Sequence, residues 1–345
     1  MLTATAYASP AANAPFARTT IERRDLRPND VLIAIAYCGV CHSDIHMGRQ
    51  EWGPTTFPLI PGHEIAGVVQ AVGPEVTKYA VGDRVGVGCM VESCGQCRHC
   101  LAGNEQFCPG FVGTYAAVGS DGEITYGGYS THIVVGEPWV LRIPDALPLD
   151  VAAPLLCAGI TTYSPLKHWG VGPGSRVGVV GLGGLGHMGV KFASALGAEV
   201  TAFTRTDAKA DDARRLGATH VRATADGSVF AELAGSFDVI LSTVSAMIPL
   251  NSYMGMLDVD GTMVCVGAPE RSLEISAFSV IPGRRSFAGS PIGGIAQTQE
   301  MLDFAAAHGL GADIEVIGAS QIDQAWDRVV AGDVRYRFVI DTATF

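Results

Sequence analysis

The sequence predicts an α/β protein in which an irregular, mostly β domain is followed by a doubly wound parallel sheet. At 345 residues the chain exceeds what one hydrophobic core comfortably fills, so two domains are expected. Up to about Pro148, glycine and proline are frequent and short Val- and Ile-rich runs alternate with turns. From about Val151, helical runs alternate with short apolar runs, which is typical of parallel strands covered by helices.

The individual elements follow from these runs. The first domain is predicted to contain strands at Val31–Tyr37 and Ile65–Val72. The second is predicted to contain strands at Arg176–Val180, Val200–Phe203, Phe237–Leu241 and Thr262–Val266. The closing segment is predicted to contain helices at about Gln297–His308 and Ile322–Val330 and a last strand at Tyr336–Ile340.

Charge and hydropathy exclude two classes of partner. The chain carries 23 Lys and Arg against 34 Asp and Glu, a net charge of −11, so it repels nucleic acid. The N-terminus lacks the basic segment and apolar run of a secretory signal, and the apolar stretch from Val239 to Leu257 is interrupted by polar residues. That stretch is expected to be a buried strand plus a helix. We therefore expect no membrane partner and a cytoplasmic location, where thiols stay reduced.

Four of the nine cysteines lie in one short segment, at Cys94, Cys97, Cys100 and Cys108. Four thiolates at this spacing can close a tetrahedral Zn²⁺ site, which is structural because it leaves no position for substrate. The alternatives are reduced surface thiols or a disulfide pair, although bridges between cysteines so close in sequence would be strained. A nucleic-acid-binding zinc ribbon is disfavoured by the acidic charge.

A glycine-rich turn follows the strand Arg176–Val180. It reads Gly181-Leu182-Gly183-Gly184-Leu185-Gly186 and leads into a helical run. In this setting Gly181 permits the tight turn, Gly183 lets a pyrophosphate approach the backbone, and Gly186 lets the helix lie close to the sheet. The pattern therefore predicts a dinucleotide site, the alternative being a merely flexible loop.

The choice between NAD and NADP depends on the residues at the end of Val200–Phe203, the second predicted strand of the dinucleotide-binding domain. An NAD-specific site places Asp or Glu there, but this chain has Thr204, Arg205 and Thr206, with Lys209 a little beyond. Cations and hydroxyls suit a 2′-phosphate, so NADP(H) is predicted. The alternative is that Arg205 and Lys209 are ordinary solvated charges.

A second, open metal site is suggested by Cys41 and His63. A catalytic zinc uses three protein ligands, and two cysteines with one histidine form one known set. Spacing does not identify the third ligand, because Cys157 is a lone cysteine among apolar residues and such a thiol is more often structural.

The motifs taken together resemble the zinc-dependent medium-chain alcohol dehydrogenases over nearly the whole chain. The shared features are Cys41-His-Ser-Asp-Ile-His46, Gly62-His-Glu64, the four-cysteine segment and the glycine-rich turn. Further stretches resemble the cinnamyl alcohol dehydrogenase branch, including Glu51-Trp-Gly53, Leu156–Tyr163 and Asp333–Phe338. The resemblance implies a GroES-like, zinc-binding catalytic domain at 1–150 and 290–345 and a Rossmann domain at 151–289.

The resemblance also assigns residue roles. It makes Cys41, His63 and Cys157 the catalytic zinc ligands, with Glu64 as an alternative ligand and Asp44 orienting His63. It implies a proton relay through Ser43 and His46, although Ser43 could instead be a helix N-cap or a turn serine. Its coenzyme residues are Thr161, Gly181 to Gly186, Thr204 to Lys209, Thr243, Gly267, Ser290 and Arg335.

The implied activity is a zinc- and NADP(H)-dependent interconversion of alcohols and aldehydes, with two Zn²⁺ per chain. The rivals are an NAD-dependent zinc polyol or secondary-alcohol dehydrogenase, a zinc-free quinone reductase and a non-catalytic coenzyme-binding relative. The substrate is a small alcohol or aldehyde. The resemblance implies a homodimer through the sheet edge near Ser286–Ser290, with a homotetramer as the alternative.

Overall fold

Residues 1–269 and 271–345 are described by a computed structural model. The strands are β1 (Leu2–Ala8), β2 (Ala17–Arg23), β3 (Asp30–Gly39), β4 (Ile65–Val72), β5 (Arg84–Val87), β6 (Met90–Glu92), β7 (Val112–Gly113), β8 (His132–Gly136), β9 (Leu141–Arg142), β10 (Arg176–Val180), β11 (Glu199–Thr204), β12 (His220–Ala223), β13 (Phe237–Ser242), β14 (Leu257–Cys265), β15 (Ser286–Gly289), β16 (Ile314–Ile317) and β17 (Arg337–Asp341). The helices are α1 (His42–Gly48), α2 (Arg98–Leu101), α3 (Leu149–Ala152), α4 (Ala158–His168), α5 (Gly186–Ala195), α6 (Ala210–Arg215), α7 (Ser228–Glu232), α8 (Leu250–Met256), α9 (Ala277–Val280), α10 (Ile295–Ala307) and α11 (Ile322–Ala331).

The chain divides into two units, one made of Met1–Ile160 with Gly293–Phe345 and the other of Thr161–Ile292. In the first unit, a sheet runs in the order β16-β17-β3-β4-β5-β9, with β8 also paired to β3. All of its pairings are antiparallel except that of β16 with β17. Because β17 pairs with β3, the C-terminal segment completes a sheet that begins in the N-terminal part of the chain.

Alternating apolar residues of these strands fill the core of the first unit. Val31, Ile33 and Ile35 of β3 point to one face, where they join Ile133 and Val135 of β8 in one buried cluster. The same cluster includes side chains from α11, whose apolar face covers the sheet. This packing fixes the ends of β3 and β4, from which the metal-binding candidates extend.

The second unit contains a six-stranded parallel sheet in the order β12-β11-β10-β13-β14-β15. Numbered from β10 as the first strand, this is the 3-2-1-4-5-6 order of the dinucleotide-binding fold. The central strands β10 and β13 are buried along almost their whole length, as expected for a sheet covered on both faces. The predicted α/β fold class is confirmed.

The apolar stretch from Val239 to Leu257 forms the end of β13, the helix α8 and the start of β14. No described helix has the length and apolar character needed to cross a bilayer. The edge strand β12 was not predicted from the sequence, because it is short and no residue in it is buried. Strand pairing rather than hydrophobic periodicity defines such an edge element.

Candidate metal centres and coenzyme site

The pairing of β3 with β4 brings Cys41 and His63 together. In the antiparallel register, Cys38 lies opposite Ile65, so the residues after β3 meet those before β4. Cys41 is the N-cap of α1, and His63 directly precedes Glu64 and β4. Cys157 arrives from a different segment, the turn that leads into α4. Two strand ends and one turn thus supply three buried side chains to one point.

The distances at this point fit a metal ion. The Sγ atoms of Cys41 and Cys157 are 3.9 Å apart, and Nε2 of His63 is 3.3 Å from Sγ of Cys157. One ligand atom from each of Cys41, His63, Glu64 and Cys157 lies within 4.8 Å of all the others. Zn–S bonds of about 2.3 Å in a tetrahedral site place two sulfurs roughly 3.8 Å apart. The donor set and its spacing therefore suit zinc.

Asp44 holds the imidazole of His63 in place. Its Oδ1 atom lies 3.0 Å from Nδ1 of His63 and also accepts the backbone N–H of Gly62 at 3.3 Å. Its Oδ2 atom accepts the N–H of Cys41 at 3.0 Å. Burial opposes protonation of His63, but the negative charges of Asp44, Cys89 and Cys41 together outweigh it and raise the pKa of the imidazole. With Nδ1 engaged, Nε2 faces the cysteine thiols, which is the arrangement found around histidine ligands of metals.

Glu64 is fully buried at the same site, where its Oε1 atom accepts a hydrogen bond from Nη2 of Arg337. Burial raises the pKa of Glu64 to about 7, against the opposing effect of Arg337. Arg337 comes from the start of β17, whose pairing with β3 aligns Val339 with Gly39. No local sequence pattern predicts this ion pair, because its partners lie 273 residues apart.

The predicted relay residues lie on α1. Ser43 is its second residue, and Cys41 rather than Ser43 is the N-cap, so the capping alternative for Ser43 is wrong. His46 is buried, its Nδ1 atom is hydrogen-bonded to Oε2 of Glu51, and its Nε2 atom has no hydrogen-bond partner among the described residues. Its ring stacks on Trp52, with 4.5 Å between the ring centroids. The sequence pattern alone does not identify Glu51 as a partner of His46, although Glu51 lies only five residues away.

The four-cysteine segment forms a second cluster. Its thiols lie within 4.8 Å of one another, with Sγ to Sγ distances of 3.5 Å for Cys97 and Cys100 and 3.9 Å for Cys94 and Cys100. All nine cysteines of the chain lie in its described part, and none forms a disulfide. Hydrogen bonds from the backbone N–H of Gln96, with further bonds from Cys108 and Cys97, lower the pKa of Cys94 to about 6. A thiolate-stabilising shell of this kind fits a closed zinc site.

The glycine-rich turn lies between β10 and α5. Gly181 has a φ of +90°, and a Cβ on Gly186 would lie 2.0 Å from the carbonyl oxygen of Gly181. A Cβ on Gly183 would meet nothing within 4 Å, so this part of the turn is open on its outer side. The turn thus has the tight bend, close helix approach and open backbone that a pyrophosphate at a helix N-terminus requires.

The basic residues after β11 lie beside this turn. Nζ of Lys209 donates a hydrogen bond to the carbonyl oxygen of Leu182 at 3.0 Å. Thr204 is buried and its hydroxyl donates to the carbonyl oxygen of Thr206, whereas Arg205 and Thr206 are exposed. No carboxylate occupies the end of β11, where an NAD-specific site would have one.

The other predicted coenzyme residues are distributed over both units. Thr243 donates to the carbonyl oxygen of Val180 at 2.8 Å, directly under the glycine-rich turn. Gly267 packs on the backbone of Val244 and Thr161 is buried in α4. Ser290 follows β15 in the second unit, whereas Arg335 is exposed before β17 in the first.

Comparison with known proteins gives two family matches. Residues 27–145 match the alcohol dehydrogenase GroES-like domain, and residues 184–307 match the zinc-binding dehydrogenase domain. The chain is 61% identical to the probable formaldehyde dehydrogenase AdhA of Bacillus subtilis, over 96% of each chain. It is 57% identical to the NADP-dependent alcohol dehydrogenase C 1 of Mycolicibacterium smegmatis, over 100% of this chain and 99% of the relative.

A solved structure agrees over the same span. The cinnamyl alcohol dehydrogenase of Sorghum bicolor superposes with a TM-score of 0.97 at 44% identity, covering 99% of this chain and 98% of that one. These matches, together with the thiol and imidazole cluster and the dinucleotide-binding sheet, define a zinc-dependent dehydrogenase. The chain belongs to the zinc-dependent medium-chain alcohol dehydrogenase family, in its cinnamyl alcohol dehydrogenase branch. The resemblance found in the sequence is confirmed.

Proposed function

We infer that this protein is a zinc- and NADP(H)-dependent alcohol dehydrogenase that interconverts primary alcohols and aldehydes by hydride transfer. The observation that carries the inference is the buried group of Cys41, His63 and Cys157, oriented by Asp44, in a chain that also has a dinucleotide-binding sheet. When bound, zinc supplies a Lewis acid for the substrate oxygen, and NADP(H) supplies or accepts the hydride.

Different residues of the chain are proposed to bind the metal, to orient its ligands and to transfer the proton. Cys41, His63 and Cys157 would hold the metal, and a set of three protein ligands would leave a position for the substrate oxygen. Asp44 fixes the imidazole so that Nε2 faces the metal. We propose Ser43 and His46 as the path by which the alcohol proton reaches water, with Glu51 orienting the His46 ring through Nδ1.

The coenzyme is proposed to be NADP(H). Arg205, Thr206 and Lys209 offer two positive charges and a hydroxyl after β11. The last residue of β11 is Thr204 rather than a carboxylate that would repel a 2′-phosphate, and Asp207 follows only in the next turn. The name of the Mycolicibacterium smegmatis relative includes NADP dependence and supports the same choice. We propose Gly181 to Gly186 and Thr243 as the pyrophosphate-binding part of the site and Arg335 as a further contact to the pyrophosphate.

Aldehyde reduction is the proposed direction, because the proposed coenzyme is NADPH. The names of the relatives suggest two substrate classes, aromatic alcohols of the cinnamyl type and the smallest aldehyde, formaldehyde. The exposed indole of Trp52, stacked on His46, offers an apolar surface next to the proposed relay and favours an aromatic substrate.

The test is the initial rate of NADPH and NADH oxidation with cinnamaldehyde, benzaldehyde, a linear aldehyde and formaldehyde, with zinc measured on the same preparation. We expect two zinc ions per chain and turnover with NADPH. The variant Cys41→Ser should lose one zinc and its turnover, whereas the control Cys265→Ser should keep both, because Cys265 belongs to neither cluster. Two bound zinc ions without turnover on any of these aldehydes would contradict the proposed activity.

We further propose a cytoplasmic homodimer. Strand β15 forms one edge of the six-stranded sheet, and no strand in the described part of the chain pairs with its outer side, so a second copy can extend the sheet there. Phe278 and Ile281, just before β15, are 84% and 70% exposed. Phe278→Glu should yield monomers in analytical ultracentrifugation, whereas Leu101→Glu, an exposed leucine in the zinc-binding segment, should not. A tetramer that Phe278→Glu leaves intact would contradict this interface.

A further inference from the structure

Gly39, the last residue of β3, lies against the side chain of Glu64. Its backbone N–H donates to the carbonyl oxygen of Glu64 at 2.9 Å. A Cβ at position 39 would lie 1.9 Å from Oε2 of Glu64 and 3.0 Å from both its Cδ and its Cβ. Gly39 is not among the glycines with positive φ, so its backbone conformation is open to alanine. What requires glycine here is therefore the space that the Glu64 side chain occupies, and its carboxylate makes the closest contact.

The same carboxylate is enclosed on its other sides. Its Oε1 atom accepts a hydrogen bond from Arg337, which is itself buried, and its Oε2 atom has no hydrogen-bond partner among the described residues. A carboxylate oxygen of Glu64 also lies within 4.8 Å of the ligand atoms of Cys41, His63 and Cys157. The carboxylate thus lies between Gly39, Arg337 and the metal ligands, and the side chain is fully buried.

We propose that Gly39 is a positioning residue for the metal centre. The missing side chain at position 39 leaves the space in which the Glu64 carboxylate rests on Arg337, away from the position that the substrate oxygen takes on the metal. A methyl group at position 39 would push Oε2 by more than an ångström, because real Cβ contacts below 3.0 Å essentially do not occur. Because Oε1 is bonded to Arg337 and the added methyl group would fill the side at position 39, we expect the carboxylate to move toward the thiols and the imidazole, where it could take the open metal position.

This inference rests on the proposed function, because it requires a metal with one open position. The experiment uses the protein with Co²⁺ at the catalytic site, whose visible absorption changes when imidazole binds to the metal. Wild-type protein should bind imidazole. The variant Gly39→Ala should retain Co²⁺ but bind imidazole at least about tenfold more weakly, a difference of roughly 1.4 kcal/mol. The kcat/KM of Gly39→Ala for aldehyde reduction should fall together with its imidazole affinity.

Two comparisons separate this mechanism from general disruption. The control Gly136→Ala, in the same unit, should bind imidazole like the wild type, since a Cβ there would meet its nearest atom at 3.6 Å. In the background Glu64→Asp, the carboxylate is withdrawn by one carbon–carbon bond, about 1.5 Å. Adding Gly39→Ala to that background should then weaken imidazole binding and lower the thermal midpoint far less than it does beside Glu64, because of the close contacts only the one at 3.0 Å to the Cβ of residue 64 is sure to remain.

The role of Gly39 would be overturned if the wild type and Gly39→Ala bound imidazole equally well. It would also be overturned if Gly39→Ala caused the same loss of imidazole affinity in the wild-type and Glu64→Asp backgrounds. If Gly39→Ala alone fails to fold while the double variant folds, the clash with the carboxylate is supported; if both fail, it is refuted. A wild-type Co²⁺ protein that neither binds imidazole nor turns over aldehyde would instead refute the proposed function, so the two failures are distinguishable.

Discussion

The Oδ1 atom of Asp44 lies 3.0 Å from Nδ1 of His63, and this contact determines which ring nitrogen faces the thiol of Cys157. Asp44 is the third residue of α1, whose N-cap is Cys41. One helix turn therefore supplies both a thiol to the cluster and the carboxylate that orients its imidazole. Because Asp44 is fully buried and also accepts two backbone N–H groups, its position is fixed.

The variant Asp44→Asn should weaken the catalytic metal site. An amide can accept from His63 through its oxygen but turns an N–H group toward one of the backbone donors, so one hydrogen bond becomes a repulsion. We expect zinc affinity or turnover to fall roughly 10- to 100-fold, as for other residues that orient metal ligands. Zinc retention during chelator competition is the measurement, with the exposed Asp327→Asn as control. Unchanged retention and turnover would remove Asp44 from the site.

The variant Glu51→Gln tests the proposed relay. Glu51 bonds Nδ1 of His46, so its carboxylate keeps the proton on that nitrogen and leaves Nε2 as the acceptor. Its replacement should lower kcat by about tenfold, which is part of the roughly 100-fold or larger effect of a general acid–base group. Zinc content and thermal midpoint should match those of the exposed control Glu75→Gln. A kcat equal to that of the control would exclude Glu51 from proton transfer.

The variant Arg205→Ala tests coenzyme choice. Arg205 is exposed after β11, whereas Thr204 is buried and bonded to the backbone, so Arg205 can be changed without disturbing the core. Loss of one charge-assisted contact to the 2′-phosphate should raise KM for NADPH roughly tenfold and leave KM for NADH unchanged. The control Arg214→Ala removes an exposed arginine of α6 that is paired with Asp211. Equal effects on both coenzymes would show that Arg205 does not bind the 2′-phosphate.

Local patterns predicted the elements and motifs that depend on neighbouring residues. Two examples are the strand at Arg176–Val180 and the four-cysteine cluster. Hydrophobic periodicity and ligand spacing predict them because both patterns involve only a few consecutive residues. The glycine roles also follow from local backbone geometry, and the φ of Gly181 agrees with the predicted tight turn.

Long-range contacts could not be predicted in this way. Cys157 lies 116 residues from Cys41, and only the resemblance to a family suggested that they meet. Arg337 was not singled out at all, because its pairing with Glu64 depends on β17 lying next to β3, a register that no local pattern encodes. The relation of Gly39 to Glu64 is of the same kind, since glycine at a strand end has many local explanations.

The variant Cys100→Ser should separate the two metal sites. Cys100 lies between Cys94 and Cys97, whose sulfurs are 3.9 and 3.5 Å away, so its loss opens the closed cluster. Because a closed zinc site contributes directly to folding, we expect the thermal midpoint to fall by roughly 10 °C, a few kcal/mol for a unit of this size. Zinc should drop from two to one per chain, and the folded fraction should keep its turnover per catalytic zinc. The control Cys265→Ser should retain both ions.

Two outcomes would contradict the structural assignment of the four-cysteine site. Loss of one zinc with an unchanged thermal midpoint would show that the site does not stabilise the fold. Loss of turnover in fully folded protein that holds one zinc would show that the site contributes to catalysis.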